Sequence, residues 1–202
     1  MTQGSLFDMG PEPGDLPEIP GLKYVPDYIT TDQQRRLLKH IDMQEWITEL
    51  KRRVQHYGYK YGYKSPHKLT PIGKLPQWAS YLAKKLHEDG LTPTISDQVI
   101  VNEYQPGQGI SPHVDLEDCF DDTIVSISML SPCVMEFIHT ETREKVETLL
   151  MPRSAIVLSG EARHDWKHAI PQRKTDIYQG QKIERERRVS MTFRKALENN
   201  SK

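Results

Sequence analysis

The stretch that decides the fold is residues 99–115, VIVNEYQPGQGISPHVD. It opens as a strand, breaks at a Pro/Gly-rich turn and ends in His113-Val-Asp115. Side chains two residues apart in an extended chain project from one face. His113 and Asp115 therefore stand side by side, an imidazole beside a carboxylate, which is two-thirds of a 2-His-1-carboxylate metal site. Asn102 and Tyr104 have the same spacing and likewise share a face. The third ligand has to be another His or carboxylate brought in by the fold, and His139, His164 and His168 lie downstream. His139 sits in the polar segment IHTETREK. The other two follow the apolar run AIVLSG, in EARHDWKHAI. Periodicity alone does not choose among them.

From residue 97 onward the pattern is all-β. Short strand-like runs at 98–104, 123–130, 134–138, 146–151, 155–159 and 187–194, separated by turn residues, predict a sandwich or barrel. In the last of these, RVSMTFR (188–194), Val189, Met191 and Phe193 make an apolar face. Arg188, Ser190, Thr192 and Arg194 make the other. Two arginines and two hydroxyls turned into a barrel are costly without a partner. A small dianion would supply one, through charge-assisted hydrogen bonds each worth about 1.5–3 kcal/mol. The alternative is the solvent face of an edge strand.

Upstream, residues 22–29 read as a short strand interrupted at Pro26. Thr30 or Thr31 can cap a helix, with Gln33 or Gln34 closing a capping box, and Leu37, Leu38 and Ile41 form its buried stripe. Trp78, Leu82 and Leu86 recur at helical spacing over 77–88, and Gly90 stops that helix. Between the helices Tyr57, Tyr59, Tyr61 and Tyr63 alternate strictly, which is a strand pattern. They are expected to share a face with Arg53 and Gln55, opposite His56, Lys60 and Lys64, and Gly58 and Gly62 suggest a bent ribbon or hairpin. Tyrosines beside cations suit nucleobase and phosphate contacts, whereas a cross-strand aromatic ladder on the core is the competing account. Four tyrosines without an aliphatic partner favour the exposed, substrate-facing reading.

Charge points the same way. Residues 51–87 hold nine Lys and Arg and no Asp or Glu, leaving 18 basic against 28 acidic residues elsewhere. A mildly acidic body with one basic region fits a protein that meets a polyanion on one face. Two cysteines, Cys119 and Cys133, are too few for a disulfide framework, so a reducing cytosol is the simplest compartment. No run reaches the length of a membrane span, and the first residues lack the basic and apolar regions of a signal peptide. The length fits one sizeable domain, with residues 1–20 an irregular tail rich in Gly and Pro. Within the tail, Gln3-Gly-Ser-Leu6-Phe7 resembles the QxxLF-type peptide that bacterial repair proteins offer to the replication sliding clamp. The plainer account is that Leu6 and Phe7 pin the tail to the domain.

Asn102-x-Tyr104, His113-x-Asp115, His168 before Ala169-Ile170, and Arg188-x5-Arg194 together resemble the AlkB family of Fe(II)- and 2-oxoglutarate-dependent dioxygenases. The match covers about residues 97–195 in the family's order, with Ala169 where the family commonly has Gly. The resemblance implies a mainly β protein with flanking helices. Its catalytic core, a double-stranded β-helix (jelly roll), would span 97–197, with residues 21–96 as a nucleotide-recognition extension carrying the Tyr/Lys-rich lid. By the same resemblance His113, Asp115 and His168 hold Fe(II), with 2-oxoglutarate and O2 as cosubstrates, and His164 is left at the surface or behind the ligands. Arg188, helped by Tyr104, takes the distal carboxylate; Asn102 and Arg194 lie near the metal-bound end, with Ser190 and Thr192 along the wall. Arg53, Tyr57, Tyr59, Tyr61 and Glu117 are the substrate-contact candidates. A base reaching a buried iron from a duplex would have to be flipped out.

The expected activity is oxidative dealkylation of damaged DNA or RNA bases, by a monomer without membrane attachment. The segments KRRVQHYGYKY and VNEYQPGQGISPHVD also resemble the AlkB subgroup that hydroxylates a tRNA wobble-uridine side chain; its animal members carry RNA-binding and methyltransferase modules for which this chain has no room. A catalytically silent nucleic-acid-binding module is the rival from another class. The intact ligand candidates and both arginines count against it, and a zinc hydrolase would leave the arginines unexplained.

Overall fold

A computed structural model describes residues 14–49, 51–62 and 65–197; the Gln3–Phe7 segment lies outside them. The chain begins with β1 (Leu22–Val25), α1 (Thr31–Asp42), β2 (Arg53–Tyr57), β3 (Tyr59–Gly62), β4 (Ser65–Pro71) and α2 (Gln77–Glu88). Strands β5 (Gln98–Tyr104), β6 (Ile110–His113), β7 (Ile124–Leu130), β8 (Cys133–His139), β9 (Lys145–Leu150) and β10 (Ala155–Leu158) follow. The short helix α3 (Gly160–His164) then leads to β11 (Trp166–Ile170), the hairpin β12 (Thr175–Tyr178) and β13 (Gln181–Glu184), and β14 (Arg188–Arg194).

The strands form a six-stranded sheet in the order β1-β10-β7-β14-β5-β2 and a four-stranded sheet in the order β6-β11-β8-β9. The two sheets face each other as a jelly roll. Alternation along each strand makes the layers. On β14, Val189, Met191 and Phe193 turn outward to a core shared with α1 and α2 through Leu37, Ile41, Leu82 and Leu86. The opposite faces meet between the sheets, where Tyr104, Ile156 and Leu158 pack with Met135, Phe137, Trp166 and Ile170. β1 and β2, from the N-terminal part of the chain, are the two edges of the larger sheet. Among the described residues no helix is long and apolar enough to cross a membrane.

Local signals explain the boundaries. Thr30 caps α1 by accepting from the Gln33 backbone N–H, while the Gln33 side chain accepts from the Thr30 N–H, which satisfies two otherwise unpaired donors of the first turn. β1 ends before Pro26, and Asp27 takes a left-handed φ of 46°.

The tyrosine ribbon departs from the expected single face. Gly58, with φ 77°, separates β2 from the hairpin β3–β4, and a Cβ there would lie 1.9 Å from the Asp97 carbonyl oxygen. Tyr57 and Tyr59 therefore belong to different sheets and their alternation does not continue across the break. Gly58→Ala is expected to lower stability by at least about 1–2 kcal/mol, the cost of a left-handed conformation alone, plus the close contact. A urea unfolding midpoint unchanged from wild type would show that the backbone relaxes there.

Candidate active site

Two strands of the smaller sheet bring the histidines together. β6 and β11 pair antiparallel with His113 directly opposite His168, and their rings lie 4.3 Å apart between centroids. Asp115 follows two residues after His113. His168 Nε2 is 3.7 Å from Asp115 Oδ2, and one ligand atom from each of the three residues falls within 4.8 Å of the others. His113 Nδ1 lies 2.8 Å from the Ser111 carbonyl oxygen. Donating there leaves the Nε2 lone pair for a metal, the orientation that an outer partner gives a ligating imidazole.

The other wall comes from the larger sheet. β14 lies between β5 and β7, so Arg188 stands opposite Tyr104, and Ser190 stands between Asn102 and Ser128. Thr192, opposite Ser126 on β7, donates to its hydroxyl over 3.3 Å. Both walls line one cavity of about 320 Å³, which contains Asn102, Tyr104, His113, Asp115, His168, Arg188, Ser190, Thr192 and Arg194. The arginine face of β14 is thus the inner one. Arg194 Nη2 donates to Asp115 Oδ1 at 2.6 Å. Arg188, 3 % exposed, donates from Nη2 to Ser128 Oγ at 2.8 Å and lies 5.3 Å over the Tyr104 ring.

The protonation states suit a cation. Burial would raise the Asp115 carboxyl, but Arg194 and the two imidazoles outweigh it and hold the group well below the usual carboxylate range. Burial, then His113, lowers the His168 imidazole to about 3. An ionised carboxylate at Asp115 and a neutral imidazole at His168 are the forms that bind metal. Asp115 Oδ2 and the Nε and Nη1 groups of Arg188 are buried without a hydrogen-bond partner. Unpaired buried polar atoms of opposite sign in one cavity are costly alone. A divalent cation at the carboxylate and an anion at the guanidinium satisfy both, so the residues present fit Fe(II) with a dicarboxylate.

The other histidines have different partners. His139 packs edge-on against Trp166 at 5.1 Å, and its Nδ1 accepts from the Glu141 and Thr142 N–H groups. His164 bridges Glu117 Oε1 at 2.5 Å and Asp122 Oδ1 at 2.8 Å, and those two carboxylates raise its pKa against the opposing effect of burial.

Two substrate-contact candidates, Arg53 and Tyr57, differ in placement from the expectation. Arg53 faces away from the cavity, onto Trp46 at 4.6 Å and into an ion pair with buried Glu103, which Arg187 also holds. Tyr57 belongs to the helix-side core: its ring meets Trp78 edge-on at 5.3 Å and its hydroxyl donates to Gln55. The cause is register, since Val54 pairs with Asn102 and His56 with Ile100 on the cavity side, which sends Arg53, Gln55 and Tyr57 to the other. Tyr59 packs against a small cluster of Leu69, Cys119 and Phe120 beside the loop after Asp115. Glu117 is exposed and engaged by His164. Tyr61 lies on β3 opposite Leu69.

The cavity also contains a residue that alternation did not single out. Arg52, just before β2, lines it and donates from Nε to Asn102 Oδ1 at 3.0 Å. Its place in the acid-free basic region was the available signal. Ser126, Ser128 and Arg163 were missed because their partners are distant in sequence.

Residues 24–194 match the model of the 2OG-Fe(II) oxygenase superfamily. An uncharacterized protein, L905, of Acanthamoeba polyphaga mimivirus is 39 % identical over 88 % of this chain and 85 % of its own length. The Arabidopsis thaliana "Alkylated DNA repair protein ALKBH8 homolog" is 39 % identical over 88 % of this chain, which spans 58 % of that protein. The Xenopus tropicalis "tRNA (carboxymethyluridine(34)-5-O)-methyltransferase alkbh8" is 36 % identical over 87 % of the chain, which spans 32 % of it. The solved structure of OsALKBH1 shares the fold, with a TM-score of 0.68 at 14 % identity over 88 % of this chain and 99 % of that one. The chain belongs to the 2OG-Fe(II) oxygenase superfamily and, within it, to the AlkB family.

Proposed function

We propose that this 2-oxoglutarate-dependent dioxygenase acts on nucleic-acid bases and removes alkyl groups from damaged DNA or RNA. The observation that carries the reading is a cavity with the His113–Asp115–His168 cluster on one wall, the partly unpaired guanidinium of Arg188 on the other, and Arg52 of the basic region among its lining residues. In the family, Fe(II), 2-oxoglutarate and O2 together oxidise a substrate C–H bond while the cosubstrate becomes succinate and CO2.

His113, Asp115 and His168 would hold the iron, and Arg194 keeps Asp115 ionised and oriented toward it. Arg188, steadied by Ser128 and the Tyr104 ring, would pair with the distal carboxylate of the cosubstrate. Asn102, held by Arg52, Ser190 and Thr192 would line the wall between. Hydroxylation of an N-methyl group gives a product that releases formaldehyde and the restored base. The basic region, with Arg52 at the cavity, would meet the phosphates, and Glu117, Tyr59 and Tyr61 remain the candidates for base contacts.

A second reading, hydroxylation of a uridine side chain in tRNA, is favoured by the resemblance to proteins named ALKBH8, of which this chain spans only part. One assay separates the two. With Fe(II) and ascorbate, methylated DNA or RNA oligonucleotides are expected to yield succinate and formaldehyde in equal amounts. Succinate without formaldehyde, with a hydroxylated uridine in tRNA, establishes the second reading instead. No stimulation of succinate formation by any of these nucleic acids overturns both.

A further inference from the structure

The inference concerns Arg163. Asp115 lies beyond the end of β6, and β7 begins only at Ile124, so no strand ladder fixes the peptide that carries this carboxylate. Arg163, on α3, is 2 % exposed. Its Nη1 donates to the Asp115 carbonyl oxygen at 2.8 Å and its Nη2 to that of Leu116 at 3.3 Å, while its Nε is buried without a partner. A guanidinium at this depth whose hydrogen bonds go to carbonyls is an expensive way to fill space, and an apolar side chain of similar volume would avoid the desolvation. What it achieves instead is registration: α3 runs directly into β11, the strand that carries His168. On the outer side the next residue, His164, grips Glu117 and Asp122 of the same loop.

We infer that Arg163 is a positioning residue for the metal centre, locking the Asp115–Leu116 backbone to the element that leads into His168. Arg194 orients the carboxylate and Arg163 fixes the peptide behind it, so that Asp115 meets both imidazoles without a search through loop conformations. The inference rests on the reading that His113, Asp115 and His168 hold the metal.

The test is a Mn(II) titration of the purified full chain, followed by the loss of the free-ion EPR signal, for wild type, His113→Ala, Arg163→Met and Arg163→Lys. Thermal unfolding in EDTA reports the fold of each variant separately. Arg163→Met is expected to weaken Mn(II) binding about 10–100-fold, the range for outer partners of metal ligands, and Arg163→Lys to recover part of the loss by reaching one carbonyl. Wild-type affinity in a folded Arg163→Met, even with a lowered melting temperature, overturns the inference and leaves Arg163 a stability residue. If the Met variant does not fold, a folded Arg163→Lys with unchanged affinity does the same. If His113→Ala binds Mn(II) like wild type, the metal-site reading itself fails.

Discussion

Replacing His113 by alanine is expected to empty the metal centre and abolish 2-oxoglutarate turnover. His113 presents Nε2 to the cluster because Nδ1 faces the Ser111 carbonyl oxygen and because β6 sets it opposite His168. Without it, one imidazole and one carboxylate remain, and among the described residues no other His, Cys, Asp or Glu belongs to the cluster. Loss of a direct ligand should exceed the about 10–100-fold penalty for loss of a ligand's outer partner. Iron retained after anaerobic loading and desalting should fall below a tenth of the wild-type content, and succinate formation should fall with it. The informative control is His139→Ala, since the His139 ring serves Trp166 and a turn rather than the cavity. That variant should keep its iron. Near-stoichiometric iron in His113→Ala, or loss of iron in His139→Ala alone, would mean that the wrong histidine has been given the role.

How much of this was legible in the sequence depended on the range of the interaction. Period-two alternation read β5 and β14 correctly and put Arg188, Ser190, Thr192 and Arg194 on one face, because alternation is a property of the extended backbone itself. Capping chemistry located the start of α1 at Thr30 or Thr31, of which the structure uses Thr30, and apolar spacing located α2. The same rule misread the tyrosine ribbon, because it counts residues and does not see Gly58 turn the chain out of one sheet and into another. Face assignment for Arg53 and Tyr57 needed the register of β2 against β5, a pairing about fifty residues apart. The choice of His168 over His139 and His164 came from resemblance, and the pairing of β6 with β11 now gives it a geometric basis. Arg163 had no local signature at all. Its partners are backbone carbonyls nearly fifty residues away, and backbone carbonyls leave no mark on a sequence.

Arg188→Met should separate cosubstrate binding from metal binding. Methionine keeps much of the stem packed near Tyr104 while removing the guanidinium, so the change is chiefly one of charge and hydrogen bonding. In the wild type the Nε and Nη1 donors of Arg188 are buried without partners, a cost of about 1–3 kcal/mol or more for charged groups. A bound dicarboxylate repays that cost, and the variant has nothing to repay. Two opposite thermal shifts follow. Without 2-oxoglutarate the variant should melt at or above the wild-type temperature, because an unfavourable buried cation has gone. With Mn(II) and saturating 2-oxoglutarate the wild type should gain stability by mass action, and the variant should gain little. Losing one partner of a buried charge pair costs about 2–5 kcal/mol, or roughly 30- to several-thousand-fold in kcat/KM for 2-oxoglutarate at about 1.4 kcal/mol per tenfold. Mn(II) affinity measured without 2-oxoglutarate should stay within about threefold of wild type, because Arg188 bonds Ser128 and not a ligand of the metal cluster. Parallel loss of metal and cosubstrate would instead make Arg188 a scaffold of the whole cavity, and the dicarboxylate would need another anchor.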